Sequence, residues 1–251
     1  MTTILERYIK AFDGIDDIKA EYKKYVIGYI DLLGIHEILK IDTGDALISL
    51  NKLYNRLIRY TNQPDNFFKL NNIQIKIFSD NIVIASEIDG NNLNKSFQQV
   101  SRLSKILQEE ALLRYGWLLR GGICIGDLYI DDVFNIGSGL ITAYQLESSL
   151  ANYPRIIIDK QLINTINVDM FKMPYGLEEI YQDHDGEYYI NYLSSLNKDS
   201  IYNSCSHLRQ YFGDKVNTEL NKKIKQKYNW QLRYIDRVIE WVDLNLKTSS
   251  K

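Results

Sequence analysis

The hydrophobic pattern of the chain alternates between short apolar runs and longer segments of helical periodicity. Residues 25–33 are almost continuously apolar, which predicts a central strand covered on both faces. Apolar and polar side chains alternate at the start of residues 73–85, and the residues after Asp80 are mainly apolar. This pattern predicts a hairpin with a carboxylate at its tip. Isoleucines 73, 75 and 77 should share one face of that hairpin, since successive strand side chains alternate. Further strands are predicted at 117–126, 153–159 and 187–193.

Helical spacing predicts the remaining elements. Helices are expected at 4–22, 43–60, 92–115, 137–150 and, as a C-terminal helical part, 200–247. Gly116 is placed to end the third of these. In the second, the expected apolar face consists of Leu47, Leu50, Tyr54, Leu57 and Ile58. In the C-terminal part, the expected buried positions are Val216, Leu220, Ile224, Tyr228, Ile235, Val238 and Val242.

The order of these elements predicts the fold class. A β-α-β-β-α-β order with an added hairpin is typical of an α+β, ferredoxin-like split βαβ sheet with helices on one side. We divide the chain into a helical lead-in at 1–24, a main domain at 25–195 and a C-terminal helical appendage at 196–251 that packs on the same domain. Three glycines in the strand at 117–126 indicate a bulge or a close approach by another backbone or a ligand.

Composition narrows the classes of protein to consider. The 251 residues are 45% hydrophobic and 25% charged, as in an ordinary globular protein. A net charge of −2 provides no basic field for nonspecific binding of nucleic acid. Cys124 and Cys205 are far apart and lack metal-ligand spacing, which predicts reduced thiols. Without a signal peptide or a membrane-spanning run in the sequence, we expect a cytoplasmic protein.

Two aspartates are the first candidates for chemistry. Asp31 and Asp80 each follow a strongly apolar strand, where a carboxylate needs a partner to offset its desolvation. A divalent metal ion is one such partner. The alternative is that each aspartate only caps a strand or forms a turn.

Four motifs carry a resemblance to a known family. They are YIDLLGI at 29–35, IKIFSD at 75–80, LRGGICIG at 119–126 and GSGLITAYQLE at 137–147. In order and spacing they resemble the catalytic domain of class III nucleotide cyclases, over about residues 25–159. Among these, the chain is most similar to the stand-alone pyrimidine cyclases of Pycsar antiphage defence.

The resemblance implies roles for individual residues. Asp31 and Asp80 match the metal-binding aspartates, and the carbonyl of Leu32 matches the backbone ligand. Two divalent ions, Mn²⁺ or Mg²⁺, would be held there and would stabilise the attacking and leaving oxygens. The backbone around Gly34 would approach the triphosphate, which places Leu32, Leu33 and Ile35 among the nucleotide contacts. Lys76 matches a base-contacting position, although it also suits an exposed strand residue.

Other family positions are not matched. The usual acidic partner of the base-contacting lysine falls at Phe134 or Asn135, which argues against adenine recognition. The resemblance still places Phe134 among the nucleotide contacts. The asparagine and arginine that stabilise the transition state fall at Ile141 and Gln145. The leaving phosphates then need another donor, for which Arg120, Arg155 and Lys76 are candidates. Arg120 could instead pair with an acid for structural reasons, and Arg155 could anchor the preceding helix.

The resemblance implies a reaction and partners. The chain would convert UTP or CTP to its 3′,5′-cyclic monophosphate and pyrophosphate, as a homodimer with the active site at the interface. The product would be a second messenger in antiphage defence, read by a separate cyclic-nucleotide-gated effector. Two alternatives remain open: a degenerate cyclase-like module that binds nucleotide without turnover, and a polymerase-like enzyme with the same split βαβ fold.

Overall fold

A computed structural model describes residues 21–41, 43–61, 73–131, 134–168, 178–196 and 198–248. The predicted lead-in helix at 4–22 therefore lies almost wholly outside the described residues. None of the helices in these ranges is long and apolar enough to cross a membrane.

The described elements follow the predicted order along the chain. The strands are β1 (Lys23–Leu32), β2 (Ile73–Phe78), β3 (Asn81–Glu87), β4 (Leu119–Ile130), β5 (Asn135–Ile136), β6 (Ile156–Ile158), β7 (Ile180–Gln182) and β8 (Tyr188–Ile190). The helices are α1 (Ile35–Ile41), α2 (Thr43–Thr61), α3 (Leu93–Tyr115), α4 (Ser138–Gln145), α5 (Lys160–Thr165), α6 (Lys198–Thr218) and α7 (Lys222–Thr248). A π-helical turn (Leu146–Leu150) continues α4, and a 3₁₀ turn (Tyr192–Ser195) follows β8.

The sheet has the split βαβ topology. Its order is β2-β3-β1-β4-β6-β8-β7, and β5 pairs with the far end of β4. β1 lies antiparallel between β3 and β4, so each βαβ unit has a strand of the other unit inserted between its own two strands. The α+β, ferredoxin-like prediction is thus confirmed.

Alternation along β1 separates two apolar layers. Val26 and Ile30 point to a core formed with α2, α3 and α5, whereas Ile27 and Tyr29 point to a core beneath α4. Helices α2, α3 and α5 therefore cover one face of the sheet, and the short α4 covers part of the other. Asp31 has the same parity as Tyr29, so it projects to the α4 face.

The glycines of β4 allow α4 to lie directly on the strand. A Cβ atom at Gly126 would lie 2.2 Å from the Cα of Gly139, and one at Gly122 would lie 2.4 Å from the Cβ of Leu146. Of the alternatives considered for these glycines, the structure thus shows a close approach by another backbone.

The C-terminal helices pack on the end of the domain that holds β7 and β8. Trp230 and Tyr234 of α7 stack on one another with ring centroids 5.6 Å apart, and both contact Tyr189 of β8. The Nε1 of Trp230 donates a hydrogen bond to Asp183 in the β7–β8 turn. This aromatic cluster ties α6 and α7 to the sheet.

Some positions predicted to be buried are exposed. Leu47 is 63% exposed and Ile58 is 40% exposed, because α2 instead turns Ala46, Leu50, Leu53 and Leu57 inward. The buried stripe of α2 is displaced by about one residue from the expected one. Leu220 is 95% exposed because it lies between α6 and α7 rather than inside one continuous helix. Ile235, Val238 and Val242 are buried as predicted.

The contact between α4 and β4 predicts the effect of a single methyl group. Gly126→Ala should lower the free energy of unfolding by about 3 kcal/mol, because both backbones must separate to admit the Cβ atom. Gly213→Ala is the matched control: nothing lies within 4 Å of its added Cβ in α6, so this change should raise stability by about 1 kcal/mol. Urea denaturation of both variants measures the difference. Equal stability of the two variants would contradict the close approach of α4 to β4.

Candidate functional site

A row of side chains crosses the sheet where β1 ends. The Cα partners of Asp31 are Asn81 on β3 and Arg120 on β4. Since directly opposed residues share a face, Asp31 and Arg120 both project to the α4 side of the sheet. The end of β1 therefore brings a carboxylate and a guanidinium together from positions 89 residues apart.

Asp80 lies beside this row in the two-residue turn of the β2–β3 hairpin. Its carbonyl accepts a hydrogen bond from the amide of Leu32 at 3.3 Å, and its Oδ1 accepts one from Asn81 Nδ2 at 3.2 Å. The turn requires Ser79 to adopt φ 56°, a left-handed conformation that is uncommon outside glycine. The backbone contact to Leu32 holds the tip of the hairpin against the end of β1.

Arg120 bridges two acids. Its Nε lies 3.1 Å from Asp31 Oδ2 and 2.7 Å from Glu147 Oε1. The Arg120 side chain is 27% exposed, so it is partly accessible to solvent. The expectation that Arg120 pairs with an acid is correct, and one of its two acids is the candidate metal ligand Asp31.

Glu147 was not assigned a role from the sequence, although it ends one of the four motifs. The π-helical turn carries it down onto the sheet face, where the residue is 3% exposed. Its Oε1 has no aligned hydrogen-bond donor among the described residues, despite the short ionic contact with Arg120. Burial raises the pKa of Glu147; Arg120 opposes that shift, and the charges of Asp31 and Asp80 add to it.

Lys227 of α7 also faces the site. The neighbouring Tyr228 packs in the same apolar cluster as Leu33, which follows directly after β1. Lys227 is half-buried, and its pKa is lowered by burial and by the charge of Arg120, while Asp31 acts in the opposite direction. No signal in the sequence points to this residue, because α7 follows Asp31 by almost 200 positions.

Two nucleotide-contact candidates lie further from the row. Lys76 of β2 is half-buried and projects to the same face as Asp31, because Ile75 and Ile77 point into the opposite core. Phe134 is exposed in the β4–β5 connection. The two residues therefore lie on separate elements of the chain.

The segment after β1 has a defined backbone arrangement. The amides of Leu32 and Leu33 donate to the carbonyls of Asp80 and Leu118, respectively. Gly34 has φ 79°, and its carbonyl accepts from the amide of Glu37 at 3.0 Å as α1 begins. Ile35 is buried beneath this turn. The backbone contacts expected of Leu32 and Leu33 are therefore limited to their carbonyl groups.

Arg155, a candidate phosphate donor from the sequence, is not brought to this site. Its side chain is fully buried and pairs with Asp183 and Asp185 in the β7–β8 turn. The expectation that it donates to phosphate is wrong, because these two carboxylates hold its guanidinium below the aromatic cluster of the C-terminal helices. Ile141 and Gln145 both lie on the exposed side of α4.

The chemistry of the donor set suits a divalent ion. Asp31, Asp80 and the carbonyl of Leu32 are oxygen donors, which Mg²⁺ and Mn²⁺ prefer. Within the described ranges, no group of three His, Cys, Asp or Glu side chains is arranged to hold a metal ion. A site with two carboxylates leaves coordination positions for water and for phosphate oxygens, which is the usual arrangement for Mg²⁺.

Neither a protein-family model nor a curated protein matches the chain. Solved structures that are similar to it include the following two. A class III adenylyl cyclase-like ATP-binding protein from Pseudomonas aeruginosa aligns with 62% of this chain and 37% of its own length, at 14% identity and a TM-score of 0.44. The guanylyl cyclase Cya2 aligns with 68% of this chain and 92% of its own, at 11% identity and a TM-score of 0.45. At this distance neither likeness bears on activity, so the site is interpreted from its own geometry.

The raised pKa of Glu147 predicts a pH-dependent effect on stability. A carboxyl group with a raised pKa binds its proton more tightly in the folded state, so it costs stability as the pH rises through that pKa. Glu147→Gln should therefore be more stable than the wild type at pH 7, with a difference that shrinks toward pH 4. Urea denaturation across this range measures it.

Asp185→Asn provides a control of opposite sign. Burial raises the pKa of Asp185, but the hydrogen bonds and charge of Arg155 together with a hydrogen bond from the backbone of Glu187 outweigh burial, so the net shift is downward. This variant should lose stability at pH 7 and approach the wild type in acid. A Glu147→Gln variant that is less stable than the wild type at pH 7 would show that the buried carboxylate is a net stabilising charge.

Proposed function

We propose that this chain is a metal-dependent nucleotidyl cyclase that converts UTP or CTP to the 3′,5′-cyclic monophosphate and pyrophosphate. The observation that carries the proposal is the placement of Asp31 and Asp80 at neighbouring strand ends, beside the partly exposed guanidinium of Arg120. Two carboxylates and a cation at the open end of a split βαβ sheet suit the binding of a metal-bound triphosphate.

The divalent ions would supply Lewis-acid stabilisation of the attacking 3′ oxygen and of the leaving pyrophosphate. Asp31, Asp80 and the Leu32 carbonyl would hold them. The amides of Gly34 and Ile35 are the proposed backbone contacts to the triphosphate, since those of Leu32 and Leu33 donate to other carbonyls.

Arg120 and Lys227 are the proposed cations for the phosphates. Gln145 carries no charge, so stabilisation of the developing negative charge must come from elsewhere. Arg120 reaches the site from β4, and Lys227 approaches it from α7. Glu147 holds Arg120 through the 2.7 Å contact and thereby fixes its direction; we regard it as a positioning residue.

The base preference is the finer part of the proposal. Lys76 projects from β2 to the same face of the sheet as Asp31. Neither Phe134 nor Asn135 provides the acid expected opposite a purine. A pyrimidine, with UTP or CTP as substrate, is compatible with a lysine and an exposed aromatic ring. The product would act as a second messenger through a separate effector, in antiphage defence.

The activity is tested by incubating the protein with Mn²⁺ or Mg²⁺ and each of the four ribonucleoside triphosphates, with products identified by mass spectrometry. We expect a cyclic pyrimidine nucleotide and pyrophosphate. Asp31→Asn and Asp80→Asn should each lower the rate at least about 100-fold, because each removes a charged metal ligand. Asp214→Asn, at an exposed position on α6, is the matched control and should retain full activity.

Absence of any cyclic product from folded wild-type protein would refute the proposal. A second candidate function, nucleotide binding without turnover, is favoured by the uncharged, exposed Gln145. Calorimetry separates the two candidates, since metal-dependent nucleotide binding without product would identify the binding module.

A homodimer is part of the proposal, because residues that complete the site would come from a second copy. Exposed apolar side chains lie on the α4 side of the molecule and around the β2–β3 and β4–β5 tips; they are Phe78, Phe134, Ile136, Ile141 and Tyr144. Tyr29 links part of this surface, with ring centroids 6.3 Å from Phe78 and 5.5 Å from Tyr144. Exposed apolar side chains that lie together in this way, as Phe78 and Tyr144 do around Tyr29, are typical of an interface.

If the protein is a dimer, a charge should have different effects at two exposed apolar positions. Ile141→Asp should convert the protein from dimer to monomer and abolish turnover, because it places a charge in the proposed interface. Leu220→Asp, at the exposed α6–α7 connection, should change neither property. Light scattering coupled to size exclusion measures the mass. An active wild-type monomer would contradict the shared site.

A further inference from the structure

A groove lined by basic side chains lies between α2 and the end of α3. It has a volume of about 540 Å³ and shares no residue with the site at Asp31 and Asp80. Its lining consists of Lys52, Asn55, Arg56, Arg59, Arg114 and Tyr115. Positions 52, 56 and 59 recur at helical spacing, so α2 presents three cations along one stripe.

Acids among the described residues do not balance the charge of the groove. Arg56 lies 2.8 Å from Glu110, and Arg114 pairs with the same carboxylate. Among the described residues, Lys52 and Arg59 form no ion pair. Within the described part of the chain, four cations against one carboxylate make the groove strongly positive, in a chain whose net charge is −2.

The opposite side of α2 packs on the apolar core of the sheet, and its Tyr54 comes close enough to the aspartates to be affected by their charges. Tyr54 is largely buried there, and its pKa is raised to about 12, chiefly by burial and further by the charges of Asp80 and Asp31. The groove residues lie on the exposed side of the same helix. The groove is thus a separate site, connected to the aspartates through one helix.

We propose that this groove binds a small ligand carrying two or more phosphate groups. Guanidinium groups form paired hydrogen bonds to phosphate oxygens, and three arginines with a lysine can engage several phosphates at once. The volume lies within the range of about 300–1,000 Å³ for small-ligand sites. Tyr115, stacked on Trp117 at 4.7 Å, adds a flat apolar edge for a base or other ring.

The size and charge distribution favour a small ligand over nucleic acid. Binding along a nucleic-acid backbone requires a basic stripe longer than one groove, and the overall charge of −2 provides no such field. Arg59 and Arg114 also lie in the last turns of their helices, where a cation stabilises the helix dipole. Lys52 lies in the middle of α2, so this role does not account for it.

The test uses inorganic triphosphate in calorimetry, with divalent ions removed by chelation so that metal-dependent binding at the aspartates is suppressed. We expect saturable binding of one triphosphate per chain. Lys52→Glu and Arg59→Glu should each weaken it by about 10-fold or more, because each turns an attraction into a repulsion. Lys52→Gln should weaken it less.

Two controls separate the groove from other effects. Arg233→Glu makes the same change of charge at an exposed position on α7 and should leave affinity unchanged. Asp80→Asn should also bind normally, which distinguishes failure of this proposal from failure of the proposed cyclase activity. A nucleoside triphosphate that binds more tightly than inorganic triphosphate would assign the base to the edge at Tyr115, whereas equal affinity would assign recognition to the phosphates alone.

Three results would overturn the proposal. They are no saturable binding by the wild type, equal binding by Lys52→Glu and wild type, and much tighter binding of a single-stranded oligonucleotide than of triphosphate. If Arg59→Glu lowered thermal stability but left the affinity for triphosphate unchanged, the role of Arg59 would be only to stabilise the helix dipole.

Discussion

The close approach of α4 to β4 is the constraint on which the candidate site depends. Gly122 and Gly126 remove the side chains that would keep the helix at an ordinary distance from the sheet. The π-helical turn that follows can then carry Glu147 down to the sheet face, where it reaches Arg120. With a larger residue at either glycine, the helix and its carboxylate would lie further from the sheet, and Arg120 would lose one of its two acids.

Sequence patterns predicted the parts of this arrangement that depend on local periodicity. The apolar run before Asp31 and the alternation before Asp80 follow from strand geometry alone, so both strand ends could be placed. Among the helices, the buried stripe of α2 was predicted incorrectly, because Leu47 and Ile58 fit a helical repeat as well as the buried Leu53 does. The choice between such stripes is made by tertiary packing, which the period does not encode.

The cations of the site were harder to predict. Arg155 follows Pro154 and Arg120 precedes two glycines, and nothing in the sequence shows which of the two arginines reaches the site. The structure does, because Asp183 and Asp185 meet Arg155 in the β7–β8 turn, 28 and 30 residues further along the chain. The position of Lys227 depends on where α7 packs, and an aromatic cluster that includes Trp230 determines that packing. Long-range contacts of this kind have no signature at the residue itself.

Charge balance distinguishes the two phosphate-binding regions proposed. At the end of β1, the carboxylates of Asp31, Asp80 and Glu147 outnumber the cations of Arg120 and Lys227, so a triphosphate alone would meet excess negative charge. A divalent ion reverses that balance and lets the anion approach. In the groove of α2, the described residues set four cations against one carboxylate, so an anion is attracted without any metal. Binding at the two sites should therefore respond oppositely to chelation: the first needs the metal, and the second competes with the metal for the ligand's phosphates.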